Sequence, residues 1–235
     1  MNVLAQLASL EGISFILKWL HLFFGLLWIG HLYYFNFTQG SAMAKADAPT
    51  KAGITTKLLP IALWWFRWGA MWTMVTGIIL LGLKGHSSGM AVYSSGWGVA
   101  ILIGVVMGLT MWANVWFIIW PHQQVIMASA NSVATGGAPD PQAAVVAPKA
   151  LLASRTNVLF SIPMLLFMGA ASHLPLPVTP ESNLLAVTII LGVLWALIEG
   201  NAIKGKIGFM QTVKGVITGG FLLTTIIYAV LALFI

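Results

Sequence analysis

Five histidines are the residues of this 235-residue chain whose possible chemistry is easiest to define. Imidazole is a common axial ligand of haem iron, and two histidines at similar depth on neighbouring helices can hold a haem edge-on between them. We predict that His21 and His173 bind haem b, and His31 with His122 form a second candidate pair. A lone histidine inside a helix bundle often only hydrogen-bonds its neighbour, so a packing role stays open for all four. His86 lies in a Gly/Ser-rich turn and is expected to be solvated.

Five further polar residues interrupt apolar segments. An ionisable or amide side chain is costly inside a membrane, so each of these residues is a candidate functional residue. They are Arg67, Arg155, Asn114, Asn157 and Glu199. Arg67 and Glu199 are expected to form an ion pair, because a buried charge needs a partner. The alternative is that the arginines anchor an anionic substrate or a quinone anion. No residue is assigned a catalytic role, and no metal is predicted besides a haem iron, since the chain has no cysteine.

The elements that must position these residues are transmembrane helices. Hydrophobic residues make up 59% of the chain and charged residues 7%, with a mean hydropathy of +0.94, too apolar for the surface of a soluble domain. Apolar blocks of about 20 residues predict an all-α bundle of six spans within a single transmembrane domain, 1–235. The predicted spans are 13–36, 58–83, 95–120, 151–173, 183–203 and 212–235. The segments 37–57 and 121–149 are expected to be loops.

The distribution of lysine predicts how the chain is oriented. Loops one, three and five carry most of the loop lysines, whereas the opposite side carries only Lys84 in a loop. The lysines of the first group are Lys45, Lys51, Lys57, Lys149, Lys204 and Lys206. By the positive-inside rule both termini face outward, toward the periplasm of a bacterial inner membrane. The net charge of +6 is therefore a topology signal, and the expected partner is the lipid bilayer rather than nucleic acid.

Several short segments, taken in order, resemble the membrane domain of the cytochrome-c-linked bacterial urate oxidase (urate hydroxylase) family. The most specific is Asn-Val-Trp-Phe-Ile-Ile-Trp-Pro at 114–121, and the likeness runs from about 13 to 175. The others are 19–21, 28–30, 65–68, 154–157, 161–164 and 172–173. The resemblance retains His21, Arg67, Asn114, Arg155, Asn157 and His173. Trp64 and Gly69 stand where the family pattern has His and Glu, and the final two helices are similar only in being apolar.

The resemblance implies an integral membrane subunit of a respiratory or other oxidoreductase complex, to which the histidine pairs add haem b as the expected cofactor. Its partners would be other membrane subunits or a c-type cytochrome, which is expected to be a separate protein because this chain has no haem c motif. The alternative is a membrane-bound urate or purine oxidase that passes electrons to that cytochrome. A transporter ranks last, because the sequence shows no inverted repeat.

Overall fold

Six apolar stretches form helices long enough to cross a bilayer, which confirms the predicted all-α fold. The computed structural model describes residues 3–235 and begins with a short helix, α1 (Val3–Leu7). The six spans follow in chain order as α2 (Leu10–Lys45), α3 (Ala48–Ser88), α4 (Gly96–Ala134), α5 (Pro141–His173), α6 (Leu184–Lys204) and α7 (Val213–Phe234). Two short 3-10 turns, Met90–Ser94 and Gly208–Gln211, lie before α4 and α7.

Each span begins at a polar residue whose side chain accepts a hydrogen bond from a backbone N–H of the first turn. Such caps satisfy one of the amide groups that a helix leaves unpaired at its N-terminus. The capping residues are Ser9, Asp47, Ser95, Asp140, Asn183 and Thr212. The starts of the helices therefore follow from local sequence chemistry.

The predicted loops at 37–57 and 121–149 are wrong, because both segments are mainly helical. Helix α2 continues to Lys45 and α4 to Ala134, so only the turns at 46–47 and 135–140 remain. These segments are polar but rich in alanine, glutamine and lysine, which favour helix even outside a membrane. Helix α4 runs 14 residues beyond its predicted end, about 20 Å at 1.5 Å per residue. We call this region, residues 37–58 and 120–150, the extended end of the bundle.

Three of the long helices contain a π-helical segment. These segments are Tyr34–Gln39 in α2, Ile54–Leu58 in α3 and Asn114–Ile119 in α4. Such widened turns often mark functional sites, because they shift backbone groups and side chains out of the regular α-helical pattern. The segment in α4 begins at one of the predicted site residues, Asn114.

Helix α5 is the centre of the bundle. In its most apolar stretch 67% of the residues are buried inside the protein, against 6% for α2 and for α6. Helices α4, α7 and the end of α2 pack around it, and α3 packs chiefly on α2. Gly69 lets α2 and α3 approach closely, since an added Cβ would lie 3.1 Å from the Trp28 backbone nitrogen. Polar residues on α5 are thus surrounded by protein rather than lipid.

Candidate functional site

Two asparagines and a glutamate form a hydrogen-bonded cluster between α4, α5 and α6. Asn114 Nδ2 donates to Asn157 Oδ1 at 3.0 Å and to Glu199 Oε2 at 3.2 Å. Asn157 Nδ2 donates in turn to the Met111 carbonyl at 2.9 Å. Both asparagines are almost fully buried, whereas Glu199 is half-buried on the peripheral helix α6. The structure therefore brings together three of the five polar residues selected from the sequence.

The guanidinium of Arg67 lies in a cage of tryptophans. Its Cζ is 3.9 Å from the ring centroid of Trp120, 5.0 Å from that of Trp116 and 5.7 Å from that of Trp68. A cation held against aromatic faces is stabilised by the ring quadrupoles, most strongly where water is excluded. The Arg67 Nε is buried without a hydrogen-bond partner in the described chain.

The expected ion pair between Arg67 and Glu199 is not formed in the described part of the chain, residues 3–235. The Glu199 carboxylate accepts its hydrogen bond from Asn114, and the Arg67 guanidinium faces tryptophan rings. Arg67 lies on α3, whereas Glu199 lies on α6, on the α4 side of the bundle. Asn114 is thus the partner of Glu199 in place of Arg67, and the tryptophan rings are the partners of Arg67 in place of Glu199.

Arg155 is buried in the middle of the bundle without a partner. Its side chain is only 7% exposed, and its Nε and Nη1 make no hydrogen bond with any residue from 3 to 235. A buried cation without a counter-ion is costly in the low-dielectric interior of a membrane protein. Arg155 is therefore a buried cation without a counter-ion among residues 3–235.

Trp116 of α4 relates the two arginines. Helices α4 and α5 run antiparallel, and the Asn114–Asn157 hydrogen bond sets their register. By this register Trp116, two residues further toward the extended end, is level with Arg155 on α5. Trp116 is also part of the Arg67 cage, whose nearest ring is that of Trp120, one turn further toward the extended end.

His21 contacts α3 rather than α5. Its Nδ1 lies 3.1 Å from Thr76 Oγ1, and the Thr76 hydroxyl donates to the Trp72 carbonyl at 2.7 Å. The hydroxyl therefore accepts from His21, which places the imidazole proton on Nδ1 and leaves Nε2 with a free lone pair. Gly77 makes room for the ring, because an added Cβ would lie 3.0 Å from His21 Cε1.

His173 is exposed at the end of α5, at the level of His21. The hydrogen bond between Tyr33 Oη and Ser161 Oγ, 2.9 Å long, sets the register of α2 against α5. His21 lies twelve residues before Tyr33 on α2, and His173 lies twelve residues after Ser161 on α5. Because the two helices are antiparallel, both histidines lie toward the same end of the bundle. No hydrogen bond or ring contact joins the two imidazoles in residues 3–235.

The second histidine pair is also not joined by any contact in the described residues. His31 Nδ1 donates to the Leu27 carbonyl of its own helix at 2.6 Å. The Nδ1 of His122 is buried without a hydrogen-bond partner among residues 3–235, and His86 is exposed as expected.

Sequence reasoning missed a set of polar contacts that fasten α2 and α6 to the centre. Asn36 is buried and donates to Ser154 Oγ at 2.8 Å, on the same side of α2 as the Tyr33–Ser161 bond. Trp195 of α6 donates to Thr110 Oγ1 of α4 at 2.8 Å. The sequence feature that could have indicated Tyr33 and Asn36 is their spacing of three residues, which places both on one helix face.

A family model described as urate oxidase N-terminal matches residues 86–230, which is more than half of the chain. The chain belongs to this family. The match begins near the end of α3 and includes α6 and α7, so it extends further toward the C-terminus than the resemblance that we recognised in the sequence. It contains Asn114, Asn157, Glu199 and Arg155, whereas Arg67 lies before it. No curated protein and no solved structure matches the chain.

Proposed function

We propose that this chain is the integral membrane component of an oxidoreductase of the urate oxidase type, and that Arg155 binds an organic anion inside the bundle. The observation that carries the proposal is the burial of Arg155 without a partner. Glu199 is the one acidic residue that lies within a span beyond its first turn, and Asn114 holds it. An external anion would therefore supply the missing counter-charge.

Arg67 is a second cation of the bundle and is held by the tryptophan cage. Guanidinium groups present planar sets of N–H donors, which suit a planar anion with several oxygen acceptors. Urate and related purine anions have this chemistry, and membership of the urate oxidase N-terminal family supports them as substrates. Electrons removed from the anion would pass to a c-type cytochrome or to another membrane subunit of the complex.

The distribution of lysines supports a site in the half of the bilayer that faces the cytoplasm. The extended end carries Lys45, Lys51, Lys57 and Lys149, which the positive-inside rule assigns to the cytoplasmic side of a bacterial inner membrane. We therefore propose that the anion enters the bundle from the cytoplasmic side and that both termini face outward.

Membranes containing the protein provide the test. We expect urate or a related purine to drive reduction of added cytochrome c. The Arg155→Met variant should lose this activity, Arg155→Lys should lose most of it, and Lys18→Met, which removes a charge from an exposed position, should keep it. Because Arg155 has no partner in the bundle, Arg155→Met should fold at least as stably as the parent chain. Full activity in a well-folded Arg155→Met variant would overturn the proposal.

Haem b is a second candidate component, favoured by the state of His21. The hydrogen bond to Thr76 fixes Nδ1 as the protonated nitrogen, which leaves Nε2 available as an iron ligand. His173 lies at the same level and is exposed, so these two residues would hold the haem. When bound, the group would supply one-electron transfer between the substrate site and the acceptor. The second pair remains a weaker candidate, with His31 Nδ1 bonded to the Leu27 carbonyl and His122 Nδ1 without a partner among residues 3–235.

A reduced-minus-oxidised optical spectrum of the purified protein tests this candidate, with the haem measured as the pyridine haemochrome. We expect a b-type signal that His21→Ala or His173→Ala abolishes and that His86→Ala, at an exposed position near the end of α3, leaves unchanged. A b-type signal that survives in His21→Ala would remove this residue from the site, and a folded sample without haem would remove the candidate altogether.

A further inference from the structure

A groove that faces the lipid lies between α2 and α3 and shares Trp68 with the Arg67 cage. Its volume is about 310 Å³, which is at the lower end of the range for small-molecule sites. Trp64, Trp65, Trp68 and Trp72 of α3 form one wall, and Phe24 and Leu27 of α2 form the other. Five of these six side chains are aromatic, so the groove offers flat surfaces rather than the irregular surface of aliphatic side chains.

The aromatic rings that line the groove contact one another at different angles. Trp64 and Trp65 are perpendicular with centroids 4.9 Å apart, and Phe24 and Trp72 are tilted by 30° at 6.0 Å. Gly69 also lines the groove, between Trp68 and Trp72 in the sequence, and contributes no side chain that would fill it. Offset and edge-on aromatic contacts of this kind are those that a planar ligand can extend.

The depth of the groove argues against an ordinary interfacial belt of tryptophan. From Trp64 to Trp72 the helix rises about 12 Å, more than the thickness of one polar interfacial layer of a bilayer. None of the four indole N–H groups donates a hydrogen bond to another residue of the described chain. An N–H group without an acceptor is costly in hydrocarbon, and a lipid acyl chain has no acceptor to offer.

We propose that this groove binds the ring of a lipid-soluble quinone. A quinone is planar and apolar enough to partition from the bilayer, and its carbonyl oxygens accept hydrogen bonds from indole N–H groups. The proposal goes beyond the anion site, because the groove opens to lipid on the outside of the α2–α3 pair. It concerns binding alone.

His31 is a polar residue of α2 one turn beyond the groove wall. It lies one turn beyond Leu27 and one turn before Phe35, and both of these residues contact α3. Helix geometry therefore places His31 on the side of α2 that faces α3. Its Nδ1 donates to the Leu27 carbonyl, so Nε2 stays available to accept a hydrogen bond from a quinol hydroxyl. The indole groups of the groove would thus serve the carbonyl form of the ring, and the neighbouring His31 would serve the hydroxyl form.

Photolabelling of the protein in nanodiscs with an azido-benzoquinone tests the proposal. We expect saturable labelling of the peptide that contains residues 64–72, with competition by an excess of unlabelled decyl-benzoquinone. In the double variant Trp65→Leu/Trp72→Leu the concentration for half-saturation should rise about tenfold, because two ring contacts are lost. The matched control is Trp19→Leu, since Trp19 is also exposed on the lipid side of a span but lies outside the groove.

The outcomes separate a quinone from a lipid. Labelling that unlabelled quinone does not reduce, or that the double variant and Trp19→Leu change equally, would overturn the proposal. The same holds if native mass spectrometry shows a phospholipid that excess quinone does not displace from the groove. Competition is measured on the parent chain, so this result tests quinone binding even if the double variant does not fold. No purine is added, so a failure here leaves the anion site at Arg155 unaffected.

Discussion

Replacing the two buried asparagines tests whether the polar cluster holds the bundle together. Asn157→Leu keeps the shape of the side chain but removes its hydrogen bonds to Asn114 and to the Met111 carbonyl. A hydrogen bond between membrane helices contributes about 0.6 kcal/mol on average and up to about 1.7 kcal/mol. With two bonds lost, we expect the free energy of unfolding to fall by about 1–3 kcal/mol.

Asn114→Leu should cost more than Asn157→Leu. It removes the bond to Asn157 and also leaves Glu199 without its hydrogen-bond donor. A carboxylate that loses its donor in a partly buried site adds about 1–3 kcal/mol to the loss. Asn114→Leu is therefore expected to be the less stable variant, because Asn114 is hydrogen-bonded to both of the other side chains.

A double-mutant cycle isolates the bond between the two amides. The free energy of unfolding is measured by reversible denaturation in mixed micelles for the parent chain, both single variants and the double variant. We expect a coupling energy of about 0.5–1.5 kcal/mol between Asn114 and Asn157. Asn131→Leu is the matched control, because Asn131 is exposed at the extended end and its side chain makes no hydrogen bond in residues 3–235. Additive effects, or a larger loss for Asn157→Leu than for Asn114→Leu, would refute this account of the cluster.

Three further changes have defined outcomes. Gly69→Ala should lower the midpoint of thermal unfolding relative to Gly82→Ala, by the equivalent of about 1–2 kcal/mol, because only the first added Cβ meets α2. Arg67→Lys should lower stability by about 1 kcal/mol in the same scan, since an ammonium stacks less well on the caging rings. Hydrogen bonds from the Thr50 side chain and backbone hold the pKa of Asp47 below its ordinary value. Their stabilising contribution is present above that ordinary value and is lost as the pH falls through the lowered pKa. The protection factors of amides at the start of α3, which compare exchange with the intrinsic rate at the same pH, should therefore fall only in acid.

The membrane spans could be predicted because a bilayer imposes a simple rule on sequence. About 20 apolar residues with paired backbone groups must form each crossing, and all six were found. The extended end was missed because alanine-rich polar segments are compatible with both loop and helix. Nothing in local composition showed that 121–134 continues α4 rather than leaving it.

Individual site residues could be chosen from sequence, but their partners could not. Asn114, Asn157 and Arg155 stand out because polar groups are rare in spans, and they do lie in the buried layer around α5. The partner of Arg67 depends on which helix packs beside α3 and in which register. Tryptophan is so frequent in this chain that its role as a cage around Arg67 could not be recognised before the helices were placed.

Direct binding of radiolabelled urate to the purified protein in nanodiscs tests the central claim, that Arg155 is the buried half of an anion site. The account predicts saturable binding that Lys18→Met retains and that Arg155→Met lacks while its stability is unchanged or higher. Equal binding by Arg155→Met, or no saturable binding of urate or other purine anions by a folded sample, would contradict it.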